Sequence, residues 1–203
     1  SMRGYEARNT APTNILDLSA GPVASTSAAD WVPALPNVLY TALDPKPVRG
    51  SDVLVLRFLS PESAEVTGFV TGNPATITVN PTQWPVLKEA TAAPALFGIA
   101  DCRSAVMFQA TQITENAGSV QIVVRSNGLN KIAFDGSDTF ASGQARLYRA
   151  ESFVYYVGLS KQGGEPVLFR ARFNAAVGGS DVVLDTGSAE EVVDGVENMQ
   201  FLY

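Results

Sequence analysis

The sequence predicts a strand-rich α+β fold: an antiparallel β-sheet with short helices and long loops. Three observations predict it. Apolar residues alternate at period two over 119–125, 147–159 and 167–173, the spacing at which one face of a strand is buried. Gly, Pro and Asn clusters separate such runs, as at Gly72-Asn73-Pro74, Ser126-Asn127-Gly128 and Gly163-Gly164. One strong helix signal stands near the end, at Ser188-Ala189-Glu190-Glu191, where serine precedes glutamate by three residues. With 203 residues, 46% hydrophobic and 17% charged, the chain suits a single globular domain with a substantial core.

Residues 1–50 read as a segment of loop and short helix. Pro12, Pro22, Pro33, Pro36, Pro45 and Pro47 interrupt any long helix or central strand. A short helix is expected over Met2–Arg8 and a second over Ala28–Ala34, capped by Ser27. Trp31, Leu35, Leu39 and Tyr40 are expected to pin the segment onto a core. Residues 51–203 form the β-rich part. Val53-Leu54-Val55-Leu56 is a central-strand candidate. Glu65–Val70 and Ala75–Val79 flank the Gly72 turn as a hairpin, and Ala105–Thr114 and Ser119–Arg125 are further strands. Residues 127–146 are a polar loop around one apolar piece, Ile132 to Phe134. In Leu147–Leu159, Phe153, Tyr155 and Val157 share one face and Val154 and Tyr156 the other. It pairs in a hairpin with Val167–Phe173, whose Arg170 and Arg172 point away from Val167, Phe169, Ala171 and Phe173. A short strand, Val182–Leu184, precedes the capped helix, which carries Val192, Val193, Val196 and Met199 on one side. Gln200–Tyr203 turn back into a strand.

Composition narrows the function. A formal charge of −6, from 14 basic and 20 acidic residues, argues against nucleic acid and against docking on anionic lipid. The chain contains no histidine, which removes histidine-based metal sites, Ser-His-Asp triads and Cys-His dyads. No phosphate-binding glycine motif and no Gly-x-Ser-x-Gly elbow is present. Asp135-Gly136-Ser137-Asp138 has a calcium-like spacing without the further acidic positions of a calcium loop, and reads as a polar turn. Glu62 and Glu65 read as a solvated pair beside a proline-led turn, and Asp181 and Asp185 bracket a short strand. Cys102, the single cysteine, has Arg103 beside it but no histidine to activate it, and reads as a structural thiol or an orphaned disulfide partner. Tyr148, Phe153, Tyr155, Tyr156 and Phe169 could form a stacking platform; core packing is the simpler account. No residue is assigned a catalytic, cofactor-binding or metal-binding role, and no enzyme activity is expected.

Four segments carry a resemblance. They are Gly50-Ser51-Asp52-Val53-Leu54-Val55-Leu56-Arg57, Ala100-Asp101-Cys102-Arg103-Ser104-Ala105, the run Tyr148 to Val157, and the run Glu190 to Tyr203 with its Val-Glu-Asn step. In order and wording they resemble the PilW family of minor pilins of the bacterial type IV pilus. The resemblance implies a pilin-like head on the periplasmic face of the inner membrane of a Gram-negative bacterium, later incorporated in the pilus. It implies a prepilin that is cleaved and N-methylated, and an apolar anchoring helix absent from these residues. On this reading Ser1-Met2 is a cloning remnant, and the end at Phe201-Leu202-Tyr203 is a truncation. The implied role is structural, in pilus initiation and assembly and so in adhesion and twitching motility. The implied partners are other minor pilins and the major pilin, with no small-molecule substrate, cofactor or nucleic acid. A type II secretion pseudopilin, or an adhesin that binds a glycan or host surface through 127–146, are the alternatives.

Overall fold

A computed structural model describes residues 1–10, 14–15, 19, 21–88, 94–131 and 134–201. It corrects the α+β expectation: strands take 48% of the chain and helical turns 9%, so the architecture is mostly antiparallel β. The α-helices among the described residues are two short ones, α1 (Asn37–Ala42) and α2 (Trp84–Lys88). The strands are β1 (Met2–Ala7), β2 (Trp31–Val32), β3 (Val53–Val70), β4 (Ala75–Val79), β5 (Leu96–Ala100) and β6 (Ala105–Gln109), followed by β7 (Gln112–Asn116), β8 (Ser119–Val124), β9 (Arg146–Leu159), β10 (Pro166–Ala175), β11 (Val182–Leu184) and β12 (Glu190–Asp194). The chain folds as two compact units. Unit 1 comprises residues 1–57, 152–173 and 184–203; unit 2 comprises 58–151 and 174–183.

In unit 1, β1 pairs antiparallel with the start of β3, from Met2 opposite Leu56 to Tyr5 opposite Val53. The helix expected over Met2–Arg8 is therefore a strand. Gly4 weakens a helix there, and the apolar run at the start of β3 offers a complete hydrogen-bond ladder instead. Ser27 does cap, accepting from the Ala29 amide, but only a 3-10 turn over Ala28–Asp30 follows before the chain extends into β2. β9 and β10 form the expected hairpin, Phe169 opposite Tyr156 and Arg172 opposite Phe153. Tyr5, Trp31, Leu35, Leu39, Val53, Val55, Val154, Tyr156, Val167 and Phe169 make the core of this unit. Each such side chain contributes about 1.5–3 kcal/mol by leaving water.

The second correction concerns 188–199. These residues are not a capped helix: a 3-10 turn (Thr186–Ser188) leads into β12, which lies antiparallel on β10. The Ser188 hydroxyl is engaged elsewhere, accepting from the Arg172 amide (2.8 Å) and donating to the Asp185 carbonyl (2.7 Å), so it does not cap. β-Branched Val192 and Val193 favour the strand. Val193 stands opposite Leu168 and Glu191 opposite Phe169, which makes Val192 an extra, bulged residue. Gly195 then turns the chain at φ +74°, its amide donating to the Pro166 carbonyl.

In unit 2, β4 is held between β3 and β8, with Ile77 opposite Ile122 and Val79 opposite Val120; β7 follows on β8, and β5 pairs with β6 and β9. The period-two faces of β4 and β8 supply Ala75, Ile77, Val79, Val120, Ile122 and Val124 to the core, around Trp84, Leu87, Phe97 and Phe108. The expected strand Ala105–Thr114 is two strands, broken at Ala110-Thr111. No turn occurs at Pro61: β3 runs through it, and Pro61 is exposed. β5 escapes the sequence reading because Gly98 interrupts its pattern; a Cβ there would meet Leu59 Cδ2 at 2.5 Å.

Candidate functional site

In unit 1 the loop that enters β3, Gly50, Ser51 and Asp52, is tied to several distant segments. Both Ser51 and Asp52 are buried. The Asp52 carboxylate accepts from two backbone amides, Ala7 at 2.7 Å and Phe201 at 2.8 Å. Its own amide donates to the Met199 carbonyl (2.8 Å), while the Met199 amide donates to Ser51 Oγ (3.1 Å). The Ser51 carbonyl accepts from Trp31 Nε1 (2.9 Å). The Gly50 carbonyl accepts from Asn198 Nδ2 (2.6 Å) and Gln200 Nε2 (2.7 Å). A buried carboxylate is costly without compensation, and charge-assisted bonds from two amides supply it here. Segments far apart in sequence, 1–10, 50–52 and 198–201, are thereby joined at one side chain.

The opposite face of the β9–β10 hairpin carries half-buried Phe153 and Tyr155, with ring centroids 6.5 Å apart. Arg170 and Arg172 lie over the Phe153 ring at 5.0 and 5.2 Å. Arg170 Nε also donates to Glu190 Oε1 on β12 at 2.6 Å, and this carboxylate, ahead of Tyr155, raises the guanidinium above its ordinary value. The five aromatics singled out in sequence therefore do not form one platform. Tyr156 and Phe169 stack inside the core of unit 1 at 5.5 Å, and Tyr148 lies in unit 2, opposite Gly98.

In unit 2, Cys102 is exposed at the turn between β5 and β6. Asp101 Oδ1 accepts from the Arg103 and Ser104 amides, both at 2.8 Å, and these bonds hold its carboxyl below the ordinary value. The turn borders a shallow depression of about 280 Å³ whose lining includes Phe69, Thr71, Asp138 and Phe140. Asp135 spends its carboxylate on the Ser137 hydroxyl and amide, which lower its pKa, and Asp138 Oδ2 accepts from the Asp135 amide. This is the polar turn read from the sequence, and no cluster of three metal-ligating side chains occurs among the described residues. Glu62 is exposed and Glu65 half-buried on β3; Asp181 is exposed, and Asp185 caps the 3-10 turn at Thr186–Ser188.

The loop 127–146 is tied down. Gln109, buried at the end of β6, donates to the Ala176 and Gly179 carbonyls (2.8 Å each) and accepts from the Leu129 amide (3.0 Å). Phe134 and Phe140 of the loop pack edge-on against Phe69 at 5.3 and 5.2 Å. Ile132 and Ala133, part of the expected apolar piece, lie outside the described residues, as do Pro12, Leu202 and Tyr203.

Sequence reasoning missed the buried pair Arg149–Glu151 on β9, each residue 6% exposed; Arg149 Nη1 also donates to the Leu87 carbonyl (3.1 Å). The signal was present: both stand in phase with Leu147, two and four residues on, and so on the same inward face. Nothing in the sequence pointed to Gln109 or to the role of Asp52.

The buried side chains of Asp52, Gln109 and Arg149 thus each tie a strand or loop in place. No helix among the described residues is long and apolar enough to cross a membrane. Comparisons with protein-family models, with curated proteins and with solved structures find no match.

Proposed function

We propose that this protein is a structural, assembly-type component, a minor pilin that takes part in starting type IV pilus formation with other minor pilins and the major pilin. The observation that supports the reading is where the family-like segments lie. The Gly50–Arg57 run and the Glu190–Tyr203 run meet at Asp52 and Ser51, and the Tyr148–Val157 run, whose first four residues belong to unit 2, supplies Val154 and Tyr156 to the core of unit 1. The likeness thus falls in part on residues that join distant segments of unit 1, while its Ala100–Ala105 segment forms the turn between β5 and β6 in unit 2. The role does not depend on the α+β architecture first expected of it. On this reading the exposed side chains of the head contact neighbouring subunits.

Deletion of the gene, followed by counting surface pili by electron microscopy, tests the reading. Pili are lost or reduced and return on complementation with the intact gene. Unchanged pilus number with a defect in protein secretion overturns it in favour of a secretion pseudopilin. Unchanged pilus number with loss of attachment to glycan overturns it in favour of an adhesin.

A further inference from the structure

The Gly50–Asp52 loop treats residues 198–201 as a ligand. Five hydrogen bonds join the two, and every one of them ends on three consecutive residues. Two read side-chain amides, those of Asn198 and Gln200, through the Gly50 carbonyl. Three read the backbone at Met199 and Phe201. The two sides of this contact differ in character. In the receiving loop Ser51 and Asp52 are buried, Gly50 is half-buried, and other parts of unit 1 hold it: Ala7 donates to Asp52, Trp31 to Ser51, and β3 begins at the next residue, paired with β1. The received segment follows β12 without regular structure, and no residue from 195 to 201 is buried. Gly195, at φ +74° and with no atom within 4 Å of a would-be Cβ, stands at its base. A segment held by polar contacts and little burial opens more readily than the core around its receptor.

We propose that the Gly50–Asp52 loop is an acceptor site for an extended Asn-x-Gln-x segment, and that a second copy of this chain supplies that segment by exchanging its residues 198–201. The chemistry that recognises the segment is fixed by the contacts, and the segment that satisfies all of them is this chain's own. Exchange makes the same bonds between copies as within one and so needs no new complementarity. When the segment swings out, the Phe201 amide leaves Asp52 and the Ser51 hydroxyl loses its donor, which favours recapture of an identical segment. The inference is independent of the pilus assignment and would hold for any cellular role.

The test uses the full chain and a fluorescent peptide, Val-Glu-Asn-Met-Gln-Phe, copied from residues 196–201. In the Asn198→Ala/Gln200→Ala variant the internal segment competes less, so the peptide binds about tenfold tighter than to the wild type by anisotropy. Adding Ser51→Ala or Asp52→Asn lowers that affinity by about tenfold or more. Ser51→Ala decides the matter if Asp52→Asn alters the circular dichroism spectrum. Sedimentation of the wild type shows a dimer that grows with concentration and is lost in Ser51→Ala. Absence of saturable peptide binding, binding indifferent to Ser51→Ala, or a monomer at every concentration overturns the proposal.

Discussion

Two buried side chains show how differently a polar group can be accommodated. Asp52 is buried and satisfied: its oxygens take the Ala7 and Phe201 amides. Asp52→Ala strands both donors, and we expect a loss of about 3 kcal/mol, read as a lower urea midpoint with an unchanged slope. Tyr156 is buried and unsatisfied, its hydroxyl lacking a partner in the core of unit 1. Burial first, and the Asp44 carboxylate second, push its phenol well above the ordinary value of 10.0. Tyr156→Phe should leave stability unchanged or raise it by about 1 kcal/mol. The sign with pH follows. The folded state keeps the Tyr156 proton more tightly than the unfolded chain, so this contribution is whole below the ordinary phenol value and is lost as pH rises through the raised one. Urea midpoints on either side of that value should fall more in the wild type than in Tyr156→Phe; equal falls would show that Tyr156 ionises as freely folded as unfolded.

At the scale of elements, glycine positions show where backbone matters more than side chain. Gly128 has φ +59°, and a Cβ there would stand 2.6 Å from the Gly179 carbonyl oxygen and 2.8 Å from Gln109 Oε1. Gly128→Ala should therefore cost about 2 kcal/mol or more and weaken the tie between β6 and the loop after β8, seen as faster amide exchange at Leu129. The strands were legible where one face alone is buried. β4 matches its sequence boundaries, and β8, β9 and β10 come within a few residues, because Ile77, Ile122, Val154 and Phe169 recur in phase with the pleat. β12 was illegible. A capping box is a local signal, and here Ser188 hydrogen-bonds to Arg172 and Asp185 while the free edge of β10 accepts the chain. β12 in turn carries exposed Glu190, Glu191 and Asp194 and the bulge at Val192, features that discourage pairing at an open strand edge. The joining of Ser51 and Asp52 to 198–201 was illegible for a related reason: the two runs were quoted side by side as words of a family, but nothing local says that they touch.

For the molecule as a whole, the order of pairing sets the kinetics. Neither unit is a continuous stretch of sequence; unit 1 needs 1–57, 152–173 and 184–203 together. The Ala7 and Phe201 amides reach Asp52 across 45 and 149 residues. Such distant contacts require large loops to close before they stabilise anything. Refolding from urea should accordingly be slow, milliseconds to seconds or longer by stopped-flow fluorescence of Trp31 and Trp84; a microsecond phase carrying the full amplitude would contradict this. Composition, through the missing histidine and the acidic balance, shaped expectations of function and said nothing of the fold. The architecture came from period-two faces, and the interleaving of two units from neither.

Because the Ala7 and Phe201 amides end on one carboxylate, a single change at Asp52 unfastens two stretches of the polypeptide at once, and neither can be repaired by restoring the other.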